Sequence, residues 1–283
     1  MTNRAVLALV AALALTVIIT GVLLRLPDRK TAERVPTLDG VLGDFVAALS
    51  EDAPYRPPPA SDRERFADAL SRLDDGVLRD LGARVDRAVD QATGRPYALV
   101  DARMWGLYVV DLSAPVRLAV QVPHPANDLR TDGLGLDLFR RVPGAVLSVA
   151  GTHRRAGDGA GDVAHRTDSV FHAVAAEHTG RGLAQVQVHG FDDASLPDVD
   201  VVLSPGAARD GDHLKGVADR LDEDLEVCRA WSRDCDDLEG RTNVQGEEAA
   251  EHGVPFAHVE LSRSVRESAS SRRQVVDALA EWR

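Results

Sequence analysis

The chain has 283 residues, 44% of them hydrophobic, and a formal net charge of -12. That size and apolar content allow one catalytic-sized core with an N-terminal appendage. The acidic balance, with no dense Lys/Arg stripe, excludes a nucleic-acid binder, and the positive charge present is almost all arginine, which suits bidentate contacts to carboxylates.

In chain order, residues 5–24, AVLALVAALALTVIITGVLL, form an uncharged run of 20 residues, the length of a membrane-spanning helix. A signal peptide is the alternative, but no A-x-A cleavage site closes the run and no cysteine stands near its end. The reading is a single-pass membrane anchor over residues 1–25, a polar, proline-rich linker over 26–60 ending in PYRPPPAS, and a catalytic domain over 61–283. Two signals for its side of the membrane disagree. Arg25, Arg29, Lys30 and Arg34 follow the run while only Arg4 precedes it, which the positive-inside bias reads as a cytoplasmic domain. Cys228 and Cys235, the only cysteines, are spaced to close a small disulfide loop in an oxidising compartment. We prefer the cysteine signal and expect an extracytoplasmic domain.

Residues 61–91 read as one or two helices with Phe66, Leu70, Leu73, Val77, Leu81, Val85 and Val89 on one face. Strands are expected at 97–102, 106–112, 116–122, 145–151, 183–191, 198–206, 225–231 and 257–262. Helices are expected at 134–142, 169–178, 213–225 and 270–282. The alternation predicts an α/β fold: a mixed, mostly parallel central sheet with helices on both faces. The glycine-rich stretch RRAGDGAGDVAHRTD at 154–168 reads as a surface loop and lacks the spacing and lysine of a P-loop. No G-x-S-x-G occurs, so a serine esterase lacks its nucleophile elbow.

Three apolar stretches run into residues able to hold or work with a metal: AVQVPHPANDLRTD, AQVQVHGF and FAHVELSRSVR. They place His124 and Asp128, then His189, then Glu260 at strand ends, where ligands of open α/β sheets gather. Asp132 is the alternative to Asp128, and a helix-capping role for Asp128 is the structural alternative. Gly190 permits a close approach to backbone. Glu260 is a carboxylate in an otherwise apolar strand, a costly placement without a partner, and Arg263 or Arg266 is the candidate structural partner. Arg154 and Arg155, after the strand at 145–151, are candidates for stabilising an oxyanion or clamping a carboxylate.

These pieces, in this order, resemble the zinc carboxypeptidase superfamily, most closely its poly-γ-glutamate hydrolase branch. The resemblance covers roughly residues 116–283 and is most specific in GVPFAHVELSRSVR. It implies Zn(2+) ligated by His124, Asp128 and His189, with Glu260 as general base, and a peptide-like or polyglutamate-like substrate cleaved at an amide. The first motif departs from the family pattern, since its acid follows the histidine by four residues in HPAND. A polyglutamate chain would also be repelled by net negative charge unless arginines line the cleft. A non-catalytic cell-envelope binding protein that keeps the hydrolase fold is the alternative function.

Overall fold

The computed structural model describes residues 37–282, within a compact unit spanning Thr37–Arg283. The anchor expected at residues 5–24 lies outside the described residues. Among the described residues no helix is long and apolar enough to cross a membrane. The chain runs α1 (Leu38–Ala47), α2 (Ala60–Arg72), α3 (Asp75–Asp80), β1 (Arg84–Val89), β2 (Pro96–Asp101), β3 (Leu107–Asp111) and β4 (Leu118–Val122). It continues with α4 (Thr131–Arg141), β5 (Ala145–Val149), α5 (Val170–Gly180), β6 (Ala184–Gly190), β7 (Val201–Ser204), α6 (Lys215–Leu221) and β8 (Val227–Arg229). Last come α7 (Val244–Glu251), β9 (Phe256–Leu261), α8 (Arg263–Glu267) and α9 (Ala269–Ala280).

Two early expectations change. The stretch expected to be linker contains α1, capped by Thr37 and burying Leu38 and Leu42 in the main core. The helical pattern expected over 61–91 ends at Asp80, where Leu73 in a left-handed conformation and the Asp74 cap have already split it. Val85 and Val89 belong to β1 instead. A spacing of four keeps residues on one side of a strand as well as of a helix, so that pair was compatible with both periods.

The nine strands form one sheet in the order β1-β2-β3-β5-β4-β6-β9-β7-β8. Only its centre, β5-β4-β6-β9, and the outer pair β7–β8 are parallel. The run β1–β2–β3–β5 and the β7–β9 pair are antiparallel, so the sheet is mixed and not mostly parallel. Short turns at 90–95 and 102–106 reverse the chain between β1, β2 and β3, a connection that only antiparallel neighbours allow.

Side chains alternate across the sheet. On one face Val120, Val122, Leu147, Val186, Val188, Val259 and Leu261 pack in the main core with residues of α1, α4, α6 and α9. On the other face the β1–β3 end is apolar and sits under Phe66, Leu70 and Val174 of α2 and α5. Over the central strands this second face turns polar: Gln121, Ser148, Gln185, Gln187, His189, His258 and Glu260 are all buried.

Candidate metal centre

The C-terminal ends of β4, β6 and β9 converge on this polar face. Past β4, the carbonyl of His124 accepts the backbone N–H groups of Asn127 and Asp128 at 3.0 and 2.8 Å, a tight turn that holds both side chains together. Thr131 closes the turn by donating its hydroxyl to the Asp128 carbonyl at 2.7 Å. β6 and β9 pair in parallel with His189 opposite Glu260.

Arg266 ties these ends together. Its guanidinium donates to the carbonyls of Leu261, Leu129 and Phe191 at 3.1, 2.6 and 2.7 Å, linking the exits of β9, the first turn and β6. Gly190 makes room for it, since a Cβ there would stand 2.4 Å from the Arg266 side chain. The close approach expected at Gly190 is thus to an arginine of the scaffold. Glu260 forms no ion pair with Arg263 or Arg266; Arg263 pairs with Glu267.

His124, Asp128 and His189 are buried, each offering one ligand atom, and these atoms lie within 4.8 Å of one another. Asp128 Oδ2 stands 3.5 Å from His124 Nδ1 and 3.4 Å from His189 Nδ1. The outer nitrogens are engaged: His124 Nε2 meets Asp162 Oδ1 at 2.7 Å, and His189 Nε2 meets Gln187 Oε1 at 2.7 Å. His124 Nδ1 is left buried without a hydrogen-bond partner. Hydrogen-bonded outer nitrogens that free the inner ones are the usual support of histidine metal ligands. Asp132 is not part of this group; it lies in the first turn of α4.

Burial and the neighbouring groups set the charge where these atoms meet. Burial opposes the charge of Asp128, but His124 and His189 hold its carboxyl well below the usual carboxylate range. Burial likewise opposes a charge on His124, yet Asp128 and Asp162 outweigh it and raise the ring above the ordinary imidazole range. Burial lowers His189. Burial, reinforced by Asp128, pushes Glu260 well above the ordinary carboxyl value. The Glu260 Oε1 stands 3.9 Å from His189 Nδ1, and Oε2 is buried without a partner.

These groups line a cleft of about 380 Å³. Its far wall is the segment Asp236–Asn243, which follows the disulfide between Cys228 and Cys235, the pairing the spacing suggested. Gly240 of this wall lies over the buried His258, and a Cβ there would fall 2.4 Å from the imidazole. The His258 ring lies 4.5 Å from that of His189, and His189, His258 and Glu260 form a second set of converging donors. Burial, then His189, keeps His258 well below the ordinary value.

The two arginine candidates part company. Arg154 lines the cleft and donates to Asp162 Oδ2 at 2.9 Å. Arg155 turns outward, exposed, 3.5 Å from Glu51, and lines no part of the cleft. Consecutive residues cannot both face one cleft where the backbone places their side chains on opposite sides, so Arg155 drops out of the site.

Asp162 and His258 were missed by sequence reasoning. Asp162 sits in the stretch expected to be a surface loop, which instead buries Ala156, Val163 and Ala164. No local pattern marks it. His258 stands two residues before Glu260 and so on the same strand face, a signal that was available.

No protein-family model matches the chain, and no curated protein matches it. Among solved structures, it is similar to a bacteriophage poly-γ-glutamate hydrolase, at 13% identity over 62% of this chain and 86% of that one, with a TM-score of 0.44. A candidate carboxypeptidase from Burkholderia mallei shows 14% identity over 82% of this chain and 68% of that one, TM-score 0.43. The LapA aminopeptidase of Legionella pneumophila shows 12% identity over 84% and 68%, TM-score 0.39. At these identities and TM-scores the likeness assigns no activity, and the functional reading rests on the site itself.

Proposed function

We propose that this chain is a metal-dependent hydrolase of amide bonds, with zinc held by His124, Asp128 and His189 and with Glu260 as general base. The carrying observation is the meeting of two imidazole Nδ1 atoms and one carboxylate oxygen, all buried, with the outer imidazole nitrogens already engaged. Two nitrogens and one oxygen form a donor set suited to zinc that leaves a position free toward the cleft. The order of the three sequence motifs supports the same reading.

Bound there, zinc would lower the pKa of a water and polarise the scissile carbonyl. Glu260, with its buried and unpartnered Oε2, takes a proton from the attacking water and passes it to the leaving nitrogen. Arg154 faces the cleft and is placed to stabilise negative charge on the carbonyl oxygen. A new carboxylate and a free amine leave as products.

The substrate we propose is a peptide-like amide with a neutral or basic flank, such as a cell-envelope peptide. Of the two arginines that line the cleft, Arg241 is committed to Glu239 and to the carbonyls of Gly206, Ala208 and Ala230, and the charge of Arg154 is offset by Asp162. Asp236 and Asp237 stand exposed on the same wall. That arrangement disfavours a polyglutamate chain. The disulfide and the apolar run at 5–24 support a domain held at the membrane on its extracytoplasmic side.

The test is zinc content of the purified full chain, together with hydrolysis of neutral, basic and γ-glutamyl peptides. We expect one zinc per chain, lost in His124→Ala and His189→Ala, and faster turnover of the neutral and basic peptides. Zinc bound with no hydrolysis of any of them would favour the binding-protein alternative.

A further inference from the structure

Behind the centre lies a hydrogen-bonded group of buried carboxamides that the proposed chemistry does not use. Gln187 sits at its hub. Its Nε2 donates to Gln121 Oε1 at 2.8 Å and to Gln245 Oε1 at 3.1 Å. Its Oε1 accepts from Asn243 Nδ2 and faces His189 Nε2 at 2.7 Å. Gln121, Gln187, Asn243 and Gln245 are all fully enclosed.

Two backbone anchors fix which way Gln187 points, and they do so independently. Gln245 turns its NH2 toward the carbonyl of Val163 at 2.9 Å, a group that can only accept. Its oxygen is therefore left for Gln187, which must present its own NH2 there. Asn243 Oδ1 accepts the backbone N–H groups of Gln245 and Gly246 at 3.1 and 3.0 Å, groups that can only donate. Asn243 therefore presents NH2 to Gln187, which must offer its oxygen on that side. Both constraints set the same orientation, with Gln187 Oε1 toward His189. An oxygen that only accepts requires a proton on His189 Nε2, which leaves the lone pair of a neutral ring on Nδ1.

We infer that Gln187 is a positioning residue that holds His189 as its Nε2–H tautomer, with Nδ1 ready for the metal, and that Gln245 and Asn243 enforce this from outside the site. The inference rests on the metal reading above. It also explains why a glutamine occupies position 187 of a buried strand, where an apolar side chain would otherwise be expected: a buried carboxamide is tolerated only when bonded. Asn243 belongs to the cleft wall that follows the disulfide, so the wall is linked to the ligand through one side chain.

Two measurements on the full chain test it. The first needs no variant. Nitrogen-15 NMR of the metal-free native chain at a pH of about 8, where an ordinary imidazole is neutral, reads the tautomer of His189, its signal assigned by loss in His189→Gln. The Nε2–H form is expected. The second is zinc affinity by chelator competition. Gln187→Leu should bind zinc about 10–100-fold more weakly, the usual effect of removing a ligand's outer partner. Gln245→Met, which touches neither metal nor substrate, should weaken it in the same direction. A native chain that takes up no zinc overturns the metal reading and this inference with it. A native chain that takes up zinc, but has the proton on His189 Nδ1 or is matched within twofold by folded Gln187→Leu, overturns this inference alone.

Discussion

The two faces of the central strands are built from alternate residues of the same short segments, yet they do opposite work. In β6, Val186 and Val188 enter the aliphatic core while Gln185, Gln187 and His189 enter the polar face. In β9, Ala257, Val259 and Leu261 do the first and His258 and Glu260 the second. The aliphatic face supplies cohesion through burial, which is tolerant of chemistry and sensitive to volume. The polar face is the reverse: most groups there have a partner, and of the atoms left without one, His124 Nδ1, His258 Nδ1 and Glu260 Oε2 surround the cleft while Ser148 Oγ lies apart from it. Missing hydrogen bonds in an otherwise satisfied network mark where a ligand belongs.

Substitutions on the two faces should therefore separate activity from stability. The largest effect is expected for Glu260→Gln. It should retain zinc, with kcat lowered about 10²–10⁴-fold, the usual contribution of a general base; steady-state kinetics beside metal analysis will show it. On the opposite face, Leu147→Ala removes a fully buried side chain and should cost about 2–5 kcal/mol in urea unfolding, with the zinc affinity of the folded protein unchanged.

A pH effect of comparable size comes from His178 of α5. Burial, then Arg181, depresses its ring from 6.5 to about 4. Because the folded value lies below the unfolded one, the stability it contributes is complete above a pH of about 6.5 and is lost as the pH falls toward 4. At most about 3 kcal/mol is at stake, and His178→Gln should remove that part of the slope in unfolding measured across the window. The smallest effect is expected for Asp162→Asn. Loss of the carboxylate behind His124 should weaken zinc binding about 10–100-fold and leave unfolding midpoints of the metal-free protein close to native.

Much of this architecture was legible in the sequence, for physical reasons that also explain what was not. Buried strands announce themselves as short apolar runs, and the order of strands and helices from residue 97 onward follows them. The residues His124, Asp128, His189 and Glu260 stood out because each is polar where an apolar strand ends or continues. The helix α1 was hidden by its polar surroundings and the prolines that follow, and α7, with Gly246 and three glutamates in VQGEEAAE, has little apolar periodicity to read. Strand direction was overestimated as parallel because the reversing turns near β1 and β2 carry weak signals. Asp162 reaches His124 across 38 residues of chain from a glycine-rich loop, and no local pattern reports such a contact. Gln187 and His258 are different: the alternation in AQVQVHGF and AHVEL already placed them on the face of His189 and Glu260.

The central claim is that the polar face closes on one metal ion through two imidazoles and one carboxylate. X-ray absorption at the zinc edge of the metal-loaded full chain tests it most directly. We predict two imidazole nitrogens at about 2.0–2.1 Å and oxygen donors completing a low-coordinate shell, with one imidazole lost in His189→Gln. A spectrum of fully hydrated zinc, or a shell unchanged by His189→Gln, would contradict it.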